Sequence, residues 1–175
     1  MNRVYLDHAA TTKPDQRVLE AMLAVYREDW GNPSSIYLEG QQARRWVDQS
    51  RDRCASLLEV ESDEVLFTSG GTESDNAAIR GVAFAQRELG LGTHIVTSQI
   101  EHHAVLHAVE QLEKEGFEAT YLPVDEQGII QIDTLEASIR EDTILLSLML
   151  ANNEVGSLQP VQNAAEVARE KNPHI

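Results

Sequence analysis

Short apolar runs alternate with helical stretches along nearly the whole chain, and that alternation limits its possible folds more than any other feature. Residues 64–68 ("EVLFT"), "HIVTS" (94–98), "FEATYLPV" (117–124) and "TILLSLMLA" (143–151) have strand lengths and are rich in branched or aromatic side chains. Helical spacing separates them. Ala78, Val82, Ala85 and Leu89 recur on one face over 72–89, a second helix runs from His103 to Lys114, and a third from Asp133, its cap, through Arg140. Pro160 opens a last helix to about Lys171. Ahead of these lie an extended "RVYLD", a helix over 15–29, the turn "WGNPSS" and a long helix over 37–59. Strand–helix–strand order predicts an α/β fold with a mostly parallel sheet and helices on both faces. The length, 175 residues, predicts one domain. After the last helix, "KNPHI" breaks at Pro173 where the alternation calls for another strand, so the sequence reads as an interrupted protein.

The charge balance removes whole classes of partner. Net charge is -15, from 29 acidic and 14 basic residues, and no basic cluster exceeds "ARR" at 43–45. Nucleic acid is excluded, because binding it needs a positive stripe that displaces counterions. No run is apolar enough to span a membrane, and the start lacks the marks of a signal or transit peptide, so cytoplasmic residence is expected. The single cysteine, Cys54, shares a helical face with Val47, Ser50, Leu57 and Leu58 and is expected in the core rather than as a nucleophile.

In open α/β sheets, ligands bind beyond the carboxyl ends of the strands. Three chemically loaded motifs fall there: "SGGTESDN" after 64–68, "EHH" after 94–98 and "NNEVG" after 143–151. In the first, Thr72 and Asp75 match the S/T-x-x-[DE] capping pattern, so the helix is expected to start at Thr72. Gly70 and Gly71 allow close approach, and the free amides and dipole of a helix start suit a phosphate. A glycine pair before a capped helix is also an ordinary turn, and the motif alone does not separate the two. His102, at a strand-to-helix junction, can stack on a flat ring or move a proton. His103 and His107 have i, i+4 spacing, but no H-E-x-x-H pattern and no nearby cysteine accompanies them, so no metal is assigned. Asn152 and Asn153 suit a turn, or a donor to a ligand oxygen.

"YLDHAATT", "GNPSS", "FTSGGTESDN", "EHHAV" and "NNEVG" with "QP" close behind, in this order, resemble the cysteine desulfurases, a branch of the class V aminotransferase family. "SGGTESDN" is similar to the NifS-like and IscS-like branch rather than the SufS-like one. The resemblance runs from about Val4 to Lys171. It implies the large domain of the fold-type I enzymes that use pyridoxal 5'-phosphate, with residues 1–175 as its N-terminal portion. It further implies that Gly71 and Thr72 hold the cofactor phosphate, that His102 stacks on the ring and transfers protons, and that Asn153 bonds near the cofactor's phenolic oxygen and the substrate carboxylate. The implied reaction converts L-cysteine to L-alanine and passes sulfur to an enzyme cysteine or an acceptor protein, in a homodimer. Tyr37 stands where many members have a histidine. Lys13, Lys114 and Lys171 match none of the family's cofactor lysine positions, so that lysine, the ring-nitrogen aspartate, the sulfur-accepting cysteine and the small domain are expected elsewhere, and the chain alone is expected to be inactive. The alternative is a truncated paralogue that binds phosphate or self-associates without catalysis.

Overall fold

The computed structural model describes residues 3–175, which fall into two compact units divided between Phe67 and Thr68. The sequence reading expects a single domain.

The first unit is helical. Asp15 starts α1 (Gln16–Glu28) by accepting from the Arg17 amide at 2.8 Å, and α2 (Leu38–Leu58) ends on Glu59, whose φ of 56° lies in the left-handed region. Gly40 and Gly31 let the "WGNPSS" loop meet the start of α2, since a Cβ at either would collide with the backbone of Ser35 or Glu39. Trp46 donates its indole N–H to Asp29 at 2.7 Å. Cys54 is half-buried rather than in a core, and Leu57 and Leu58 on its expected core face are exposed. An apolar stripe is buried only where a second apolar surface meets it, and among the described residues of this unit α2 buries only Gly40, Ala43 and Ala55.

Residues 64–68 form no strand. A short 3-10 turn, Ser62–Glu64, is closed by a reciprocal Glu61–Glu64 cap, and Val65 leaves it extended but without a ladder. The composition is strand-like, yet a strand exists only against a partner, and the described sheet contains none for this segment.

The second unit carries the sheet: β1 (His94–Ser98), β2 (Glu118–Leu122) and β3 (Thr143–Ser147), in the order β2-β1-β3 and parallel throughout. Helices cover both faces. Ile95 packs with Ile79 and Ala83 of α3 (Gly71–Glu88) and with Val105, Val109 and Leu112 of α4 (His103–Lys114). Val96, one residue on and therefore on the opposite face, packs with Leu135 of α5 (Ile132–Ser138) and Ala164 of α6 (Val161–Lys171). Leu112, Leu122 and Leu135 are fully buried, and each contributes about 1.5–3 kcal/mol through the apolar area it removes from water. Gly92, at φ 142°, brings the entry of β1 against the Asp142 carbonyl, leaving no room for a Cβ, and His94 N then donates to that carbonyl at 3.0 Å.

The expected strand over 143–151 stops at Ser147. The Met149 amide is taken by the Glu101 carboxylate, and Ala151 turns back to bridge Leu158.

Candidate functional site

β1 and β3 are neighbours, but the chain leaves them toward opposite faces, through α4 on one side and α6 on the other. Such a divergence opens a crevice at the carboxyl ends of the two strands. A cavity of about 160 Å³ lies there, lined by Ile100, Glu101, His102, His103, Asn152, Asn153 and Glu154.

His102 is exposed and caps α4. Its Nδ1 accepts from the Ala104 amide at 3.1 Å, so in the neutral ring the proton sits on Nε2. Asn152 and Asn153 have separate duties. Asn152 donates to the Ile100 carbonyl at 3.0 Å and accepts from the Glu154 and Val155 amides, which commits it to the scaffold. Asn153 is exposed and among the described residues bonds only its neighbour Glu154 through its amide, at 3.1 Å, so its carbonyl is available to a ligand. Glu101, 7% exposed, accepts at Oε1 from the Ser98 hydroxyl and the Met149 amide, both at 2.8 Å. Burial pushes its carboxyl above the usual range against those two bonds, and the Asp75 charge adds to the rise.

Gly71 opens α3, and Gly70 is its cap in extended backbone, so Thr72 lies inside the first turn and does not cap it. The expected Thr72–Asp75 cap is replaced from the other side. Glu73 folds back to accept from the Ser69 amide at 2.7 Å and from its hydroxyl, and these bonds hold the Glu73 carboxyl below its ordinary range. An acceptor at the third residue of the helix thereby ties down the loop that precedes it. The first ladder bond runs from Ser74 N to Gly70 O at 3.1 Å, so the Gly71, Thr72 and Glu73 amides precede the ladder. A Cβ added at Gly70 or Gly71 would meet nothing within 4 Å. Amides that precede the ladder at a helix start fit a phosphate monoester, and the exposed His102 ring beside an open cavity fits a flat ring.

Of the four residues expected at the site, His102 and Asn153 share the cavity, whereas Gly71 and Thr72 open a neighbouring helix and do not line it. Sequence reasoning missed Glu101. Its only signal was an acid directly before the histidine pair, and its partner lies 48 residues on. Among the described residues no group of three or more His, Cys, Asp or Glu side chains is placed to hold a metal, and no helix is long and apolar enough to cross a membrane.

The sequence family described as aminotransferase class-V matches residues 4–175. The chain is 52% identical over 167 residues to the cysteine desulfurase IscS of Methanosarcina thermophila, covering 95% of this chain and 41% of that protein. A solved NifS-like protein superposes with a TM-score of 0.93 at 41% identity, over 99% of this chain and 47% of its own. SspA, solved in complex with cysteine, gives 0.87 at 37% identity, over 95% and 47%. The chain thus spans less than half the length of each of these relatives.

Proposed function

The chain belongs to the class V aminotransferase family, and we propose that it carries the phosphate- and ring-holding part of a pyridoxal 5'-phosphate-dependent cysteine desulfurase, which converts L-cysteine to L-alanine and passes the sulfur to an acceptor. The single observation that carries the proposal is the β1–β3 crevice, where His102 and Asn153 face one cavity at the divergence of the two strands. The open first turn of α3 and the relatives' names support it.

In this reading Gly71 and Thr72 hold the phosphate through their amides and the Thr72 hydroxyl. His102 stacks on the ring, and with Nδ1 held by Ala104 it holds or moves a proton at Nε2. Asn153 binds a ligand oxygen while Asn152 keeps the turn in place. Pyridoxal phosphate, when bound, supplies the electron-withdrawing ring that lets the carbon–sulfur bond of cysteine break. An amine for covalent attachment comes from outside this unit: Lys114 ends α4, about 16 Å from its start at 1.5 Å per residue, and Lys171 pairs with Glu136 at 3.1 Å. The proposal extends to a cytoplasmic homodimer and a protein sulfur acceptor. Exposed Leu6, Trp30 and Ile36 in the first unit support self-association.

Phosphorus NMR of pyridoxal phosphate with the purified chain tests the reading. Expected is saturable binding, competed by inorganic phosphate and weakened about 10-fold in Thr72→Val, the scale of one lost charge-assisted hydrogen bond. Binding indifferent to Thr72 sinks the phosphate assignment. Sulfide release from cysteine by the chain alone, faster than with free pyridoxal phosphate, sinks the reading that none of Lys13, Lys114 and Lys171 supplies that amine.

A further inference from the structure

We propose that Glu101 is a positioning residue: by tying the exit of β1 to the exit of β3, it sets the separation between His102 and Asn153 and so the width of the ligand slot. The inference rests on the reading of this crevice as the cofactor site. Glu101 directly precedes His102, and Met149, whose amide it binds at 2.8 Å, lies four residues before Asn153. The same oxygen accepts from Ser98 at the end of β1, so one carboxylate spans both strand ends. A second clip crosses the crevice in the other direction, from the Asn152 amide to the Ile100 carbonyl at 3.0 Å.

The clip also accounts for where β3 ends. Beyond Ser147 the Met149 N–H is bound to a side chain instead of a strand, so the backbone is free to turn and bring Asn153 to the cavity. The catalytic duties stay with His102 and Asn153, and Glu101 acts through them. Truncating Glu101 leaves the part-buried Met149 amide and the fully buried Ser98 hydroxyl without this acceptor. Glutamine can replace it, because its amide oxygen can accept from both donors.

The test titrates pyridoxal 5'-phosphate into this chain and into Glu101→Gln, Glu101→Ala and Asn172→Ala, below the melting temperature of each. Asn172 is a stability control distant from the crevice, since its buried amide clips the Arg140, Glu141 and Thr143 carbonyls at the opposite end of β3. Glu101→Ala should weaken binding about 10-fold or more, while Glu101→Gln and Asn172→Ala stay within about 3-fold of the parent. Should Glu101→Ala fail to fold, Glu101→Asp, too short to span both strand ends, gives the same readout. Side-chain nitrogen NMR on ligand-free protein adds an independent measure: the His102 ring and Asn153 amide resonances should move in the truncated variant and hold in Glu101→Gln. Three outcomes overturn the inference: parental affinity in Glu101→Ala or its shorter substitute, equal losses in Glu101→Gln, or equal losses in Asn172→Ala. If the parent binds no pyridoxal phosphate, the functional reading fails, and the ligand-free resonances alone decide whether the clip sets the slot.

Discussion

The His102 ring has two nitrogens, and the proposed function gives them different work. Nδ1 closes the start of α4, and in that reading Nε2 carries the proton. Substitutions can separate these duties. Asparagine is a strong N-cap, so His102→Asn should melt within a degree or two of the parent, while His102→Ala loses about 1 kcal/mol of stability. Both should slow cysteine turnover by about 10²-fold in the complete, cofactor-loaded enzyme, because neither offers an imidazole. Equal melting in both variants would remove the capping role, and unchanged turnover would remove the catalytic one. That His102 and Asn153 lie beyond the carboxyl ends of β1 and β3 was legible in the sequence, because each follows a strand signal. Glu101 was not, because its partner Met149 is brought to it only by the sheet. Thr72 shows the limit of a local pattern, since it fits a capping motif that the loop satisfies with Ser69 and Glu73 instead.

At the scale of one element, β1 begins with one buried titratable group and is followed, three residues past its end, by another, and the two respond to acid in opposite directions. His94, 1% exposed, bonds the Thr143 and Thr120 hydroxyls, and burial pushes its imidazole below the ordinary value of 6.5, with Arg140 adding to the fall. The unfolded chain then takes the proton first, so this contribution is present above about pH 6.5 and is lost as pH falls through the folded value. The stability difference between the parent and His94→Asn should therefore shrink from pH 7 to 5, measured by urea unfolding. Glu101 is raised above 4.5, so its contribution is present below that value and is lost as pH rises. The difference between the parent and Glu101→Gln should shrink from pH 4.5 upward. A flat His94 difference would mean its burial is not felt by the proton. The limits of β1 and α4 were readable from the chain because tight periodicity and caps define them locally. Residues 64–68 were misread because a strand depends on a partner that composition does not reveal.

For the molecule as a whole, the division at Phe67 and Thr68 separates a helical unit with little buried surface from a sheet-centred unit that holds most of the core and every site residue. α1 buries no residue, whereas Ile95, Val109, Leu112 and Leu135 are at most fractionally exposed. Limited proteolysis should therefore cut first around residues 60–69 and leave a resistant fragment beginning near Thr68, identified by mass. First cuts within α4 or the sheet would contradict that order of stability. The parallel sheet with helices on both faces was legible because alternation carries topology. The two-unit division was not, because the pattern along the chain does not show which elements share a core. The segment 65–68 has a further consequence, for the protein as a suspension. An extended apolar run outside any ladder, with Leu66 76% exposed and Phe67 47%, is a template on which another copy can lay a strand. The net charge of -15 opposes such stacking by making copies repel one another. Salt at about 0.5 M shortens the reach of that repulsion to a few ångströms, so light scattering should rise with added salt, and Leu66→Lys should suppress the rise while leaving the crevice untouched.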